Sequence, residues 1–141
     1  MSATWDNYID NLIEQSKDKS GKAHVDKACI IGLDGGAKWT TDKHPRALKL
    51  NSSEAMTIAK CFKKKDFTSF IEGGLIIEGT YHTFLRELDS KAVYARKASS
   101  GLSLQASKTA IVVAYTGEGM QQGNANKAVG VIADYLESLN M

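Results

Sequence analysis

The 141-residue sequence predicts an α/β (α+β) domain, one central antiparallel sheet sandwiched between helices on its two faces. Three observations carry this prediction. Both ends of the chain show an apolar stripe at helical spacing. From Gly74 to Tyr115 the pattern becomes a series of short strands joined by turn residues, and such connections are too short for the crossover that parallel neighbours need. The last strand, Ala110-Ile111-Val112-Val113-Ala114, is apolar at consecutive positions, so it must be covered on both faces. The terminal helices are therefore expected on one face and the shorter helices on the other.

The first helix is predicted from about Thr4 to Gln15. Trp5, Tyr8, Ile9, Leu12 and Ile13 form its stripe, with Thr4 as N-cap and Asp6 favourable in the first turn. Ser16 to Lys22 reads as a loop. Ala28 to Leu33 is a strand, Asp34-Gly35-Gly36 a turn, and Ala37 to Thr41 the return strand of a hairpin carrying Trp39. Ser52 or Ser53 with Glu54 starts a helix to about Phe62, and a smaller helix follows Asp66. Strands are then expected at Leu75–Ile77, Tyr81–Glu87, Val93–Lys97, Leu102–Ala106 and Thr109–Tyr115. The final helix spans about Asn124 to Leu139, with Ala128, Val131, Ile132, Tyr135, Leu136 and Leu139 as its stripe and Lys127, Gly130, Asp134 and Glu137 opposite.

Composition narrows the function classes. With 43% hydrophobic and 24% charged residues, enough apolar side chain exists to offset the entropy of ordering the chain. A net charge of +2 is too weak to imply nucleic acid. Lysines cluster at Lys60 and Lys63-Lys64-Lys65, which reads as a solvated face or a seat for an acidic partner. No apolar run approaches the roughly 20 residues of a membrane span. No basic region followed by an apolar stretch opens the sequence, so the cytosol is the expected compartment. Cys29 and Cys61 sit in apolar stretches and are expected as reduced, partly buried thiols.

Catalytic signals are weak. His24, His44 and His82 are far apart and lack neighbours at metal-ligand spacing, so no metal site is expected. Gly117-Glu118-Gly119 with Gln121-Gln122-Gly123 is glycine-rich ahead of a helix but lacks the ending of a phosphate-binding loop. Neither cysteine lies in a nucleophile motif, and no serine elbow occurs. The aromatic residues stand out instead. Trp5, Tyr8, Trp39 and Tyr135 lie near element ends. Spacing alone fits burial in the core, and it also fits an exposed groove suited to polyproline II ligands, whose flat rings stack and whose free carbonyls accept from indole N–H or tyrosine O–H groups.

Trp5-Asp6-Asn7-Tyr8-Ile9-Asp10-Asn11-Leu12 resembles the N-terminal signature of profilins, Trp-x-x-Tyr-Ile/Val-Asp-x-x-Leu. The likeness continues at Ile30-Ile31-Gly32 leading to Trp39, at Gly74-Leu75 to Gly79, at Ser99-Ser100-Gly101, at Lys108 to Tyr115 and at Ala133-Asp134-Tyr135-Leu136. It implies one profilin-like domain over residues 1–141, monomeric, without cofactor, in the cytosol and cytoskeleton, and a binding protein in place of an enzyme. Such proteins bind monomeric actin, promote nucleotide exchange on it, dock proline-rich segments of filament-assembly factors and bind phosphatidylinositol bisphosphate. By this resemblance the poly-proline seat is Trp5, Tyr8, Trp39 and Tyr135. Leu139 stands at the edge where some relatives place a terminal tyrosine. The actin face carries over to Glu72, Arg86, Arg96, Met120, Gln121, Gly123, Asn126, Lys127, Gly130 and Val131. Lys127 and Gly130 are expected on the side of the last helix away from Tyr135. Ser16–Asp26 and the Lys63–Lys65 loop have no family role, although the lysines could strengthen lipid binding. A small-molecule sensor, or a basic lipid-binding module of similar fold, is the alternative on the elements alone.

Overall fold

In the computed structural model, which describes residues 4–141, the N-terminal stripe forms a 3₁₀ turn, Thr4–Asp6, followed by helix α1, Asn7–Gln15. The cap expected of Thr4 lies outside the described side chains. Strand β1 is Lys27–Gly32, and two helices follow, α2 at Ser52–Lys64 and α3 at Thr68–Gly73. Strands β2 (Leu75–Ile77), β3 (Thr80–Leu88), β4 (Ala92–Lys97), β5 (Ser100–Ala106) and β6 (Ala110–Thr116) lead to helix α4, Gln122–Ser138.

The sheet order is β1-β6-β5-β4-β3-β2, antiparallel at every step. Strands β2 to β6 form the expected meander, and β1 joins at the far edge. A bulge between Phe84 and Arg86 adds a bend to β3. Lys27 on β1 and Glu78 just past β2 start from opposite edges of the sheet, yet their side chains meet at 3.4 Å. The Glu78 carboxylate also accepts from the Lys49 N–H at 2.7 Å. The sheet is therefore curled until its two edges approach each other.

Alternation along the central strands sorts the core into two layers. Ile111 and Val113 of β6, with Cys29 and Ile31 of β1, pack against Ile58, Phe62 and Phe70 of α2 and α3. Ala110, Val112 and Ala114, with Ala28 and Ile30, pack against Ile9 and Leu12 of α1 and Ile132 and Leu136 of α4. The consecutive apolar run of β6 serves both layers, as its sequence requires.

Four local expectations need correction. The stretch Ala37–Thr41 does not form a strand; it meets β1 through a bridge between Ile31 and Lys38, the Gly32 N–H bond to Ala37 C=O at 2.7 Å, and the Trp39 and Thr40 N–H bonds to Ile30 C=O at 2.9 and 3.3 Å. The reason is competition for the outer edge of β1. The Thr40 hydroxyl accepts the Ile30 N–H at 3.1 Å, and Arg46–Leu48 takes the rest of the edge by bonding Ala28 on both sides. Helix α2 is capped by Asn51, not by Ser52 or Ser53; Asn51 and Glu54 exchange bonds of 2.8 and 3.1 Å in a capping box. Lys63 and Lys64 end α2 and Lys65 is its left-handed cap at φ 55°, so the basic cluster is helical and not a loop. Finally, α4 is rotated from its expected face. Ala125, Ala128, Val129, Ile132, Ala133 and Leu136 are buried, whereas Val131, Tyr135 and Leu139 are exposed. Small alanines let α4 approach the sheet and α1 closely, which moves the larger side chains to the rim.

Cys29 and Cys61 are free and buried, as their surroundings predict; burial pushes the Cys29 thiol up to about 12 and raises Cys61 as well. Among the described residues no group of three His, Cys, Asp or Glu side chains is placed to hold a metal. Among the described residues no helix is long and apolar enough to cross a membrane.

Candidate functional site: a ring groove and a cationic face

The four aromatic side chains form a continuous row. Trp39 lies 4.6 Å from Trp5, Trp5 stacks at 5.2 Å and 27° on Tyr8, and Tyr8 lies 6.4 Å from Tyr135. Local structure explains why these rings are not swallowed by the core. Trp5 sits in the 3₁₀ turn ahead of α1, while Ile9 and Leu12, the residues of the stripe that follow, are fully buried and anchor the helix. Packing of α1 against α4 then brings Tyr135, 51% exposed, beside Tyr8. Trp39 lies over Gly32, where a Cβ would stand 3.1 Å from its indole nitrogen. Trp5, Tyr8 and Trp39 are each half-buried, which leaves ring faces and polar tips open to a ligand. Burial, helped by the neighbouring Tyr135, raises the Tyr8 phenol further from ionisation, so it remains a hydrogen-bond donor.

Two carboxylates set the spacing of the row. Asp6 accepts from both the Thr41 N–H and the Thr41 hydroxyl, each at 2.6 Å, and so clips the Trp39 segment to the turn that carries Trp5. Asp10, one turn on, bonds His44 at 2.8 Å and holds the same segment further along. Asp6→Ala is expected to weaken binding of a proline-rich peptide by roughly five- to thirtyfold, the size of one or two lost bonds of about 1 kcal/mol each. Titrating intrinsic tryptophan fluorescence with poly-L-proline measures it.

Leu139 is exposed one turn beyond Tyr135 on the same side of α4. The terminal Met141 does not extend this edge. Its carbonyl accepts from Thr109 N–H at 2.9 Å and from the Ser107 hydroxyl at 2.8 Å, which pins the tail to the turn between β5 and β6.

Nine of the ten residues expected to meet actin lie on α4, on the loop before it, or on the strands beside it. Arg86 pairs across strands with Tyr94, and Tyr94 with Ser103. The Ser103 hydroxyl bonds Asn126 of α4, so this face of β3 and β4 continues the surface of that helix. Arg96, two residues past Tyr94, shares the face. The Arg86 guanidinium lies 5.4 Å from the centre of the Tyr94 ring, and Arg96 Nε donates to Ala98 C=O at 2.9 Å. Among the described residues Arg86, Arg96 and Lys127 form no ion pair, so their charge is available to a partner. Gln122 fixes the start of α4 by donating to Ala95 and Leu102 carbonyls at 3.1 and 2.8 Å, across Gly101, where any Cβ would collide with it. Met120 is half-buried; Gln121, Gly123, Lys127 and Val131 are exposed; and Gly130 faces Gln105. Glu72 stands apart, on α3 in the opposite helical layer next to β3.

The separation from Tyr135 expected for Lys127 and Gly130 fits Gly130, about 140° away around α4, but needs refinement for Lys127. At 100° per residue Asn126 is about 180° from Tyr135, whereas Lys127 is only about 80° away and is separated mainly by some 12 Å along the axis. Residues that sequence reasoning missed are Asp6, Thr41, Tyr94 and Gln122. Only Tyr94 had a local signal, its alternation with Arg96 along β4.

The comparisons with known proteins cover nearly the whole chain. The profilin family model matches residues 3–141. A profilin of Suberites domuncula is 63% identical over 139 residues, covering 98% of this chain and 99% of that protein. The crystal structure of profilin II of Acanthamoeba castellanii superposes with a TM-score of 0.79 at 28% identity, covering 98% and 100% of the two chains. Mouse profilin IIa, solved in complex with a double repeat from the FH1 domain of mDia1, shares the fold at a TM-score of 0.71 and 19% identity, covering 98% and 99%. With a signature at the N-terminus and a family model matching residues 3–141, this chain belongs to the profilin family.

Proposed function

We propose that this chain binds monomeric actin on the face formed by α4, β3 and β4, docks proline-rich segments in the ring groove, and so presents actin to proline-rich filament-assembly factors. The observation that carries this reading is the continuous row Trp39–Trp5–Tyr8–Tyr135 beside, and separate from, a surface with three cationic side chains that form no ion pair among the described residues. A polyproline II ligand is already extended and stiff, so little entropy is lost when it settles against such rings. Unpaired rim charges raise association rate and specificity toward an acidic partner. The chain acts as a cytosolic, cytoskeletal binding protein and monomer, without cofactor or nucleic acid. Any effect on actin's nucleotide is conformational, arising from tighter binding to one state of actin than to another. Phosphatidylinositol bisphosphate is a third ligand of this reading, met by exposed Arg and Lys side chains.

The test is retention on poly-L-proline resin with elution by free poly-L-proline, alongside the rate of actin polymerisation. Retention and a slowed nucleation phase support the reading. Passage through the column together with unaltered polymerisation would sink it and favour a sensor or a basic lipid-binding module.

A further inference from the structure

The segment between α1 and β1, which carries no family role, is tied to the start of α4 at three points. His24 Nδ1 accepts the Gln121 N–H at 2.9 Å, Lys22 Nζ donates to Gly119 C=O at 3.3 Å, and Asn124 Nδ2 donates to Ser16 C=O at 3.2 Å. The segment is itself well braced. One Asp18 oxygen accepts from Ser20 N–H, the Ser20 hydroxyl and Lys22 N–H at 2.9, 2.6 and 3.1 Å, and the other meets His24 Nε2 at 2.8 Å. The Ser16 hydroxyl donates to Ile13 C=O and accepts from the N–H groups of His24 and Val25. Ser16 and His24 are buried, at 0% and 2% exposure.

The chemistry leaves His24 one role. A backbone N–H can only donate, so Nδ1 facing Gln121 must carry a lone pair, and the hydrogen sits on Nε2, donated to Asp18. Asp18 thus selects the tautomer that Gln121 requires. Helix α4 has no side-chain hydrogen bond at its own N-cap, Gln121, so its first residues are held from outside. His24 and Gln122 hold them from opposite sides, one through the Ser16–Val25 segment and the other through β4 and β5.

We propose that His24 is a positioning residue for actin binding: from a segment remote from the strand face, it fixes the loop that presents Met120, Gln121 and Gly123. This rests on the reading above that those residues face actin. Its content beyond that reading is that actin affinity depends on the Nδ1 acceptor of a residue expected to touch no actin.

The two isosteric replacements separate the nitrogens. In His24→Asn the side-chain oxygen falls near the Nδ1 position and can still accept from Gln121. In His24→Gln the amide reaches the Nε2 position and can satisfy Asp18, while Gln121 loses its acceptor. Actin affinity is expected to fall about tenfold in His24→Gln and to stay within about threefold of the parent in His24→Asn, the scale of one buried hydrogen bond. Amide hydrogen exchange at Gln121 should quicken in His24→Gln alone, and poly-L-proline binding should be unchanged in both. Equal actin affinities for the two variants would overturn the proposal, as would unchanged protection of Gln121 in His24→Gln. If His24→Gln also loses poly-L-proline binding, the fold is damaged and Lys22→Ala decides. That variant removes only an exposed tether; quicker exchange at Gln121 with weaker actin binding supports the clamp, and parental values for both overturn it. Failure of the parent chain to bind actin would refute the functional reading. In that case exchange at Gln121 still reports whether His24 orders the loop.

Discussion

Trp5→Ala is expected to remove retention on poly-L-proline, with affinity falling at least about 30-fold, or ~2 kcal/mol, while actin binding is kept. The effect is large because Trp5 is an interior ring of the row, in contact with both Tyr8 and Trp39. Its loss takes away one stacking surface and an indole donor, and it leaves Trp39 without the ring that holds its angle. A buried aromatic at the centre of an interface carries a disproportionate share of the binding energy. The fold should survive, because Trp5 precedes α1 and the helix is anchored by Ile9, Leu12 and the α4 contact. Fluorescence or calorimetric titration with a proline decamer gives the affinity, and pyrene-actin polymerisation gives the control. Equal loss of both activities in a folded variant would mean that the groove and the actin face are not separate.

Lys127→Glu is expected to do the reverse. Lys127 is exposed and, among the described residues, without an ion-pair partner, so the change costs the free chain little. In the complex it replaces an attraction by a repulsion on a face that also holds Arg86 and Arg96. Actin affinity should fall by about tenfold or more, chiefly through slower association and with a shallower dependence on salt. Poly-L-proline affinity should be that of the parent. A stopped-flow measurement of association at two ionic strengths distinguishes lost steering from a disturbed helix, since the latter would raise the dissociation rate instead.

The elements differ in how far they can be read from residues alone. Strand β6 was legible because five consecutive apolar residues leave no polar face, and that fixed helices on both sides of the sheet. The meander was legible because its turns are short. The return strand after Asp34-Gly35-Gly36 was not. Whether Ala37–Thr41 pairs fully with β1 depends on Arg46–Leu48, a segment that claims the same edge and has no strand-like pattern. The face of α4 was read one step off because periodicity weighs Val131, Tyr135 and Leu139 above alanine, while close packing on a sheet favours Ala125, Ala128 and Ala133.

The site followed the same division. Spacing put Trp5 and Tyr8 on the stripe of α1 and could not say that Trp5 stands outside the helix; only the likeness to a family separated ring from anchor. The bonds that shape the groove and the loop join residues far apart in the chain. Asp6 meets Thr41, and His24 meets Gln121, across loops with no repeating pattern to betray them. Long-range polar pairs of this kind leave no periodic trace in a sequence.

The separation of the two faces can be put to one direct measurement. Sedimentation velocity of labelled actin with the chain, in the absence and presence of saturating poly-L-proline, reports whether both ligands are held at once. Sites that are distant and uncoupled should give a ternary species and an actin affinity changed by no more than about twofold. Displacement of actin by poly-L-proline would contradict the separation and place both ligands on one shared surface.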